Sequence, residues 1–140
     1  MENISDTYLV ERMISDCVAE LLVGVAQDEQ FGPYLVIGGG GILVEMMKDS
    51  VSLLLPTTRE RVYSALEKLK CAPLLKGFRG APPADLDAAV DAIMGLSVLV
   101  ENDPSLINEL DINPLMLLSE GQGAIAADTL ISVNKKPEHL

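Results

Sequence analysis

At 140 residues the chain has room for one domain with a sizeable core, and its 49% apolar, 4% aromatic composition is that of a folded protein with an aliphatic interior. A formal charge of −11 and a pI near 4.3 exclude a general affinity for nucleic acid or anionic membranes, which require a basic surface. Any bound anion must therefore be met locally, by backbone N–H groups, a metal ion or one of the few Arg and Lys side chains.

The N-terminus, Met-Glu-Asn-Ile-Ser-Asp, lacks the basic and apolar regions of a signal peptide, and the longest uncharged apolar stretch, residues 31–44, is too short and too glycine-rich to span a bilayer. The expected location is cytoplasmic. Residues 8–13 and 20–26 read as two strands joined across Ser15-Asp16, and Pro33 opens a third apolar run at residues 34–37. That run ends in Gly38-Gly39-Gly40-Gly41, which reads as an interruption of regular structure. Residues 42–47 and 51–55 are expected to form a hairpin turning at residues 48–50.

Pro56 ends the last of these strands. Thr57 and Glu60 stand at capping-box spacing, which predicts a helix from there to about Lys70 with Val62, Ala65, Leu66 and Leu69 inward. A second helix follows Pro82-Pro83 and stops before Asp103-Pro104, with Leu86, Ala89, Val90, Ile93, Leu96, Ser97 and Val100 on one face. Between them, residues 73–80 read as a glycine-rich basic loop. Residues 109–114 form a strand ending in an Asn-Pro turn, residues 115–118 continue it, and residues 124–128 return antiparallel after a turn at residues 120–123. The tail from Asn134, with the single histidine at position 139, is expected to fray. The order of elements gives an α+β fold: a mixed, mostly antiparallel sheet with two main helices on one face.

The chemistry-bearing residues are few. In Glu-Leu-Asp-Ile-Asn-Pro, period-two alternation places Glu109, Asp111 and Asn113 on one face and Leu110 and Ile112 on the other. The hairpin then brings Asp128 beside Asn113. Such a row could offer hard oxygen ligands to Mg²⁺, or it could be an ordinary solvent-facing strand. The glycine run could cradle a phosphate through its backbone, or mark a bulged crossing; no Walker Lys-Ser/Thr follows it. Arg79, between Gly77 and Gly80, could grip a phosphate with its planar fork, or be a solvated loop arginine. Cys17 and Cys71 stand alone as free thiols, with no zinc set around them. No Ser, Cys or His has the base partner that nucleophilic catalysis needs.

Taken in order, Asp28-Glu29-Gln30-Phe31-Gly32-Pro33, residues 38–45, Pro73-Leu74-Leu75-Lys76-Gly77-Phe78-Arg79-Gly80, residues 109–115 and Ala127-Asp128 closely resemble the ATP-grasp domain of NDP-forming acyl-CoA synthetases. The resemblance runs from about Tyr8 to Val133. It implies an ATP-grasp C-terminal lobe forming the single domain 1–140, with Asp111, Asn113 and Asp128 as Mg²⁺ ligands. Gly38, Gly39, Gly40 and Gly41 become contacts to ATP or ADP, and Arg79 takes a nucleotide-binding and catalytic role. The implied chemistry is phosphoryl transfer between ATP and a phosphohistidine on another domain, coupled elsewhere to acyl-CoA formation. Implied partners are an N-terminal ATP-grasp lobe, which the family places before Tyr8, and CoA-binding domains; without them the isolated chain is expected to be inactive. Gly39 replaces a frequent leucine, and Gln27 and Leu130 stand where basic residues are common. These departures keep an alternative open: a non-catalytic remnant of a synthetase or acetyltransferase that packs against a CoA-binding domain or self-associates.

Overall fold

The computed structural model describes residues 7–41 and 46–134. The chain runs through β1 (Ala19–Asp28), β2 (Gly32–Gly39), β3 (Ser50–Leu54), α1 (Arg59–Lys68), α2 (Ala72–Leu75), α3 (Leu86–Asn102), β4 (Ile107–Leu117), β5 (Ala124–Ala126) and β6 (Thr129–Val133). The strands form one six-stranded sheet of order β3-β2-β1-β4-β5, with β6 also pairing β4. Every registered pair is antiparallel. Among the described residues no helix is long and apolar enough to cross a membrane.

Alternation along the strands decides which face carries the core. Leu21, Val23 and Val25 of β1, Leu35 and Ile37 of β2, and Leu110, Ile112, Leu115 and Leu117 of β4 are buried in one cluster with Val62 and Leu66 of α1 and Val90, Ile93 and Val100 of α3. The expected inward faces of both helices are therefore confirmed, and both pack on one side of the sheet. Residues of opposite parity, including Glu20, Leu22 and Asp111, with Gly24 leaving a gap among them, face the other side, which no helix among the described residues covers.

Several loops are fixed by polar contacts that hold this open face in shape. Asp28 Oδ1 accepts from the N–H groups of Gln30 (2.8 Å) and Phe31 (2.9 Å), closing the β1–β2 turn ahead of Gly32 at φ 77°. The Gln27 amide donates to the carbonyls of Pro104 and Ile107, both at 2.9 Å, which clamps the start of β4 to the end of β1. Asp85 caps α3 by accepting from Ala88 N–H (3.0 Å), and its second oxygen accepts from Gly123 N–H (2.8 Å), tying the β4–β5 turn to the helix.

The structure corrects several sequence expectations. Residues 8–13 form no strand: both edges of β1 are taken by β2 and β4, so the apolar run finds no ladder, and Tyr8 and Val10 are 88% and 91% exposed. The expected 42–47 hairpin strand falls largely on residues 42–45, outside the described residues, and β3 pairs instead with β2. The tail residues 135–140, with His139, also lie outside them. Thr58, not Thr57, caps α1, because Thr58 has the extended backbone (φ −124°, ψ 159°) from which a side chain accepts from Arg61 N–H. The helix ends at Lys68, two residues early. The first part of the 73–80 loop is the single turn α2, with Pro73 in its first turn, where a missing N–H costs nothing. Thr129–Val133 adds a strand where the sequence reading had none.

Candidate metal and nucleotide site

β4 carries the site because its ladder is broken at one point. Leu21 pairs with Leu115 and Val23 with Ile112, so Leu22 alone faces both Asn113 and Pro114, a bulge of one extra residue. The expected Asn-Pro turn is thus absorbed into one continuous strand. Proline lacks a ladder donor and suits a bulge. The β5–β6 junction sits against the same point: Asn113 N–H donates to the Asp128 carbonyl (3.1 Å) and Ala127 N–H to the Pro114 carbonyl (3.1 Å).

The bulge therefore brings Asp128 beside Asn113, and Asp111 sits two residues upstream, half-buried and paired with Leu130 of β6. Burial pushes the Asp111 carboxyl above the ordinary carboxylate range, and the charges of Glu109 and Asp128 push it further. Three carboxylates repel here with no Arg or Lys among the causes of the shift. Gly24, across β1 from Asp111, keeps the space open: a Cβ there would stand 3.6 Å from Asp111 Oδ1 and 3.4 Å from the Leu110 carbonyl. Among the described residues no three His, Cys, Asp or Glu side chains form a metal-holding group. The two carboxylates and the amide oxygen would make at most a partial donor set, of the kind that suits a cation keeping water or phosphate oxygens in its shell.

The glycine run reaches the same part of β1 from the opposite edge of that strand. Gly38 and Gly39 do not interrupt structure; they continue β2, paired to Leu22 and Leu21. A Cβ on Gly38 would stand 2.9 Å from the Asp49 carbonyl, and one on Gly40 would stand 2.8 Å from Glu20 Cβ and 2.9 Å from its backbone carbon. Glycine is required here for close packing of one backbone on another. Gly39 N–H donates to the Asp49 carbonyl (3.0 Å) and Gly40 N–H to the Glu20 carbonyl (2.8 Å), so two of the run's donors are spent inside the fold. Gly41 turns with φ 84°, beside the Glu20 carboxylate.

Arg79 lies on the α2–α3 loop, exposed, with φ 50° and its guanidinium 5.3 Å from the Phe78 ring centroid. Among the described residues it forms no ion pair with a carboxylate, Asp111 and Asp128 included. Two residues of this region were not legible as site residues. Glu20 was read only as the start of a strand, although a lone carboxylate heading an apolar strand on the parity of Gly24 is a usable signal. Asp49 looked like a turn residue and is instead 8% exposed.

A model of the ATP-grasp domain matches residues 2–133. The beta subunit of ADP-forming acetate–CoA ligase II from Pyrococcus furiosus is 38% identical over 112 residues, which are 80% of this chain and 48% of that subunit. Among solved structures, PH1788 from Pyrococcus horikoshii superposes with a TM-score of 0.82 at 35% identity, over 89% of this chain and 52% of that one. The dinucleotide-forming acetyl-coenzyme A synthetase 1 of Ca. Korarchaeum cryptofilum, solved with coenzyme A and Mg-AMPPCP, superposes at 0.75 with 31% identity, over 83% and 53% of the two chains. The chain thus spans about half the length of these relatives.

Proposed function

The chain belongs to the ATP-grasp domain family, and from that premise we propose that it is the nucleotide- and Mg²⁺-binding C-terminal lobe of an NDP-forming acyl-CoA synthetase. The observation that supports the reading is at the β4 bulge: the backbones of Asn113 and Asp128 lie side by side, two residues from Asp111, whose carboxyl is raised first by burial and then by the charges of Glu109 and Asp128. That donor set fits Mg²⁺. When bound, the ion would neutralise charge on the nucleotide phosphates. Asp111 and Asp128 would hold it with their carboxylates and Asn113 with its amide oxygen. In the strip from Gly38 to Gly41, an ATP or ADP phosphate would meet side-chain-free backbone at the half-buried end, Gly40 and Gly41, while Gly38 and Gly39 would support it from within the sheet. Arg79 supplies a guanidinium fork for a phosphoryl oxygen. In the solved relative a phosphohistidine segment points towards the nucleotide-binding site; here such a segment, an N-terminal ATP-grasp lobe and CoA-binding domains would come from the rest of the protein or from another subunit.

Calorimetric titration of Mg-ATP into the chain and into Asp128→Ala tests this. Wild type is expected to give a saturable heat, and the variant to bind about tenfold more weakly; equal heats from both remove the metal assignment. The exposed apolar side chains of β6, Leu130, Ile131 and Val133, favour the second reading, a packing or self-association module, and that reading predicts no Mg-dependent heat from either protein.

A further inference from the structure

One buried charge outside the metal cluster joins the two separated pieces that the lobe reading assigns to phosphate. Asp49 follows the glycine run in sequence and is among the few buried charged residues. Its carboxylate accepts from two successive N–H groups, Lys70 through Oδ1 (2.7 Å) and Cys71 through Oδ2 (2.9 Å). Its carbonyl accepts from Gly39 N–H (3.0 Å). The Lys70 ammonium adds a bond to the Met47 carbonyl (3.1 Å). Burial works against the Asp49 charge, but the two backbone donors outweigh it and hold the carboxyl below the ordinary range. Cys71 is the N-cap residue of α2 and contributes no side-chain cap of its own; Asp49 holds instead the two residues that lead into the turn, through their N–H groups.

The consequence is geometric. α2 leads directly through Lys76 and Gly77 to Phe78 and Arg79, and the loop is tied back to α2 at both ends, by Gly77 N–H donating to the Leu74 carbonyl (3.2 Å) and Ala84 N–H to the Leu75 carbonyl (2.9 Å). Gly38 packs on the Asp49 carbonyl so closely that no side chain fits between them. One residue therefore fixes the end of β2 with its backbone and the base of the Arg79 loop with its side chain. We propose that Asp49 is a positioning residue that locks the glycine run and the Arg79 loop into one unit, so that both meet the same nucleotide. This rests on the lobe reading for its ligand, not for its contacts.

The test uses the full chain, with Asp49→Asn, Asp49→Ala, Arg79→Ala and the Asp49→Ala/Arg79→Ala pair. Amide hydrogen exchange is expected to accelerate at Gly39, Gly40, Lys70 and Cys71 in both Asp49 variants, more in Ala than in Asn, while Leu110 and Ile131 in the β4–β6 ladder keep wild-type protection. Mg-ATP affinity is expected to fall about tenfold in Asp49→Ala. The loss in the double variant should be smaller than the two single losses combined, because Arg79 contributes only while Asp49 holds it. Unchanged exchange at Gly39 and Gly40, a uniform rise across the sheet, or additive losses would overturn the proposal. A wild-type chain with no Mg-ATP heat would sink the lobe reading instead, and the exchange pattern would still decide what Asp49 does.

Discussion

Gly40→Ala is expected to destabilise the chain by about 1–3 kcal/mol, the usual cost of forcing a methyl into a filled site, and to weaken Mg-ATP binding with it. The new Cβ would stand 2.8 Å from Glu20 Cβ and 2.9 and 3.1 Å from the Glu20 carbonyl carbon and oxygen. Two of those three atoms are backbone in the middle of the sheet, so no side-chain rotation relieves the overlap. The run must lift from β1, breaking the 2.8 Å bond from Gly40 N–H to the Glu20 carbonyl and displacing the strip proposed to meet the nucleotide. Gly95 supplies the control. It lies exposed in α3 with nothing within 4 Å of an added Cβ, so Gly95→Ala should stabilise by about 0.4–1 kcal/mol by narrowing the unfolded ensemble. Chemical denaturation of the two variants checks the opposite signs, and equal shifts would refute close packing at Gly40.

Period two and period 3.6 made the core legible. The inward rows of α1, α3 and β4 follow directly from spacing, because burying one face leaves no freedom in which residues point inward. Errors gathered where local pattern could not see the partner. Residues 8–13 have the composition of a strand, but a strand needs an edge, and β1 had none left. Gly38 and Gly39 resemble a break until the Asp49 carbonyl is placed against them; composition cannot reveal that a backbone passes within van der Waals contact. In the site, alternation gave Asp111 and its neighbours on one face, and the hairpin gave Asp128 beside Asn113, but the bulge depends on a register that only the assembled sheet sets. The roles assigned to Arg79 and the glycines came from family resemblance, since one exposed arginine and four glycines do not by themselves name a ligand.

Asp111→Asn is expected to raise the melting temperature of the metal-free chain at neutral pH while lowering Mg-ATP affinity by at least about 30-fold, the low end of the cost of truncating one partner of a desolvated charge pair. Burial first, then Glu109 and Asp128, raises the folded-state Asp111 pKa above the ordinary value of 3.8. The fold consequently holds this proton more tightly than the unfolded chain does. Between 3.8 and the raised value the folded state binds more protons, so the Asp111 contribution to stability falls as pH climbs through that window and stays lost above it. Asparagine keeps the shape and removes the charge, which lifts the penalty at pH 7; as pH falls towards and below 3.8, where aspartate becomes protonated in both states, wild type and variant should converge. A bound divalent cation lifts the same penalty from outside. Mg²⁺ should therefore raise the wild-type melting temperature at pH 7, lose that effect near pH 4, and do little to Asp111→Asn at either. Melting curves of both proteins from pH 4 to pH 8, with and without Mg²⁺, read all of these signs together. A variant that melts below wild type in the absence of metal would mean that Asp111 serves the fold through contacts of its carboxylate and is not held there against its own charge.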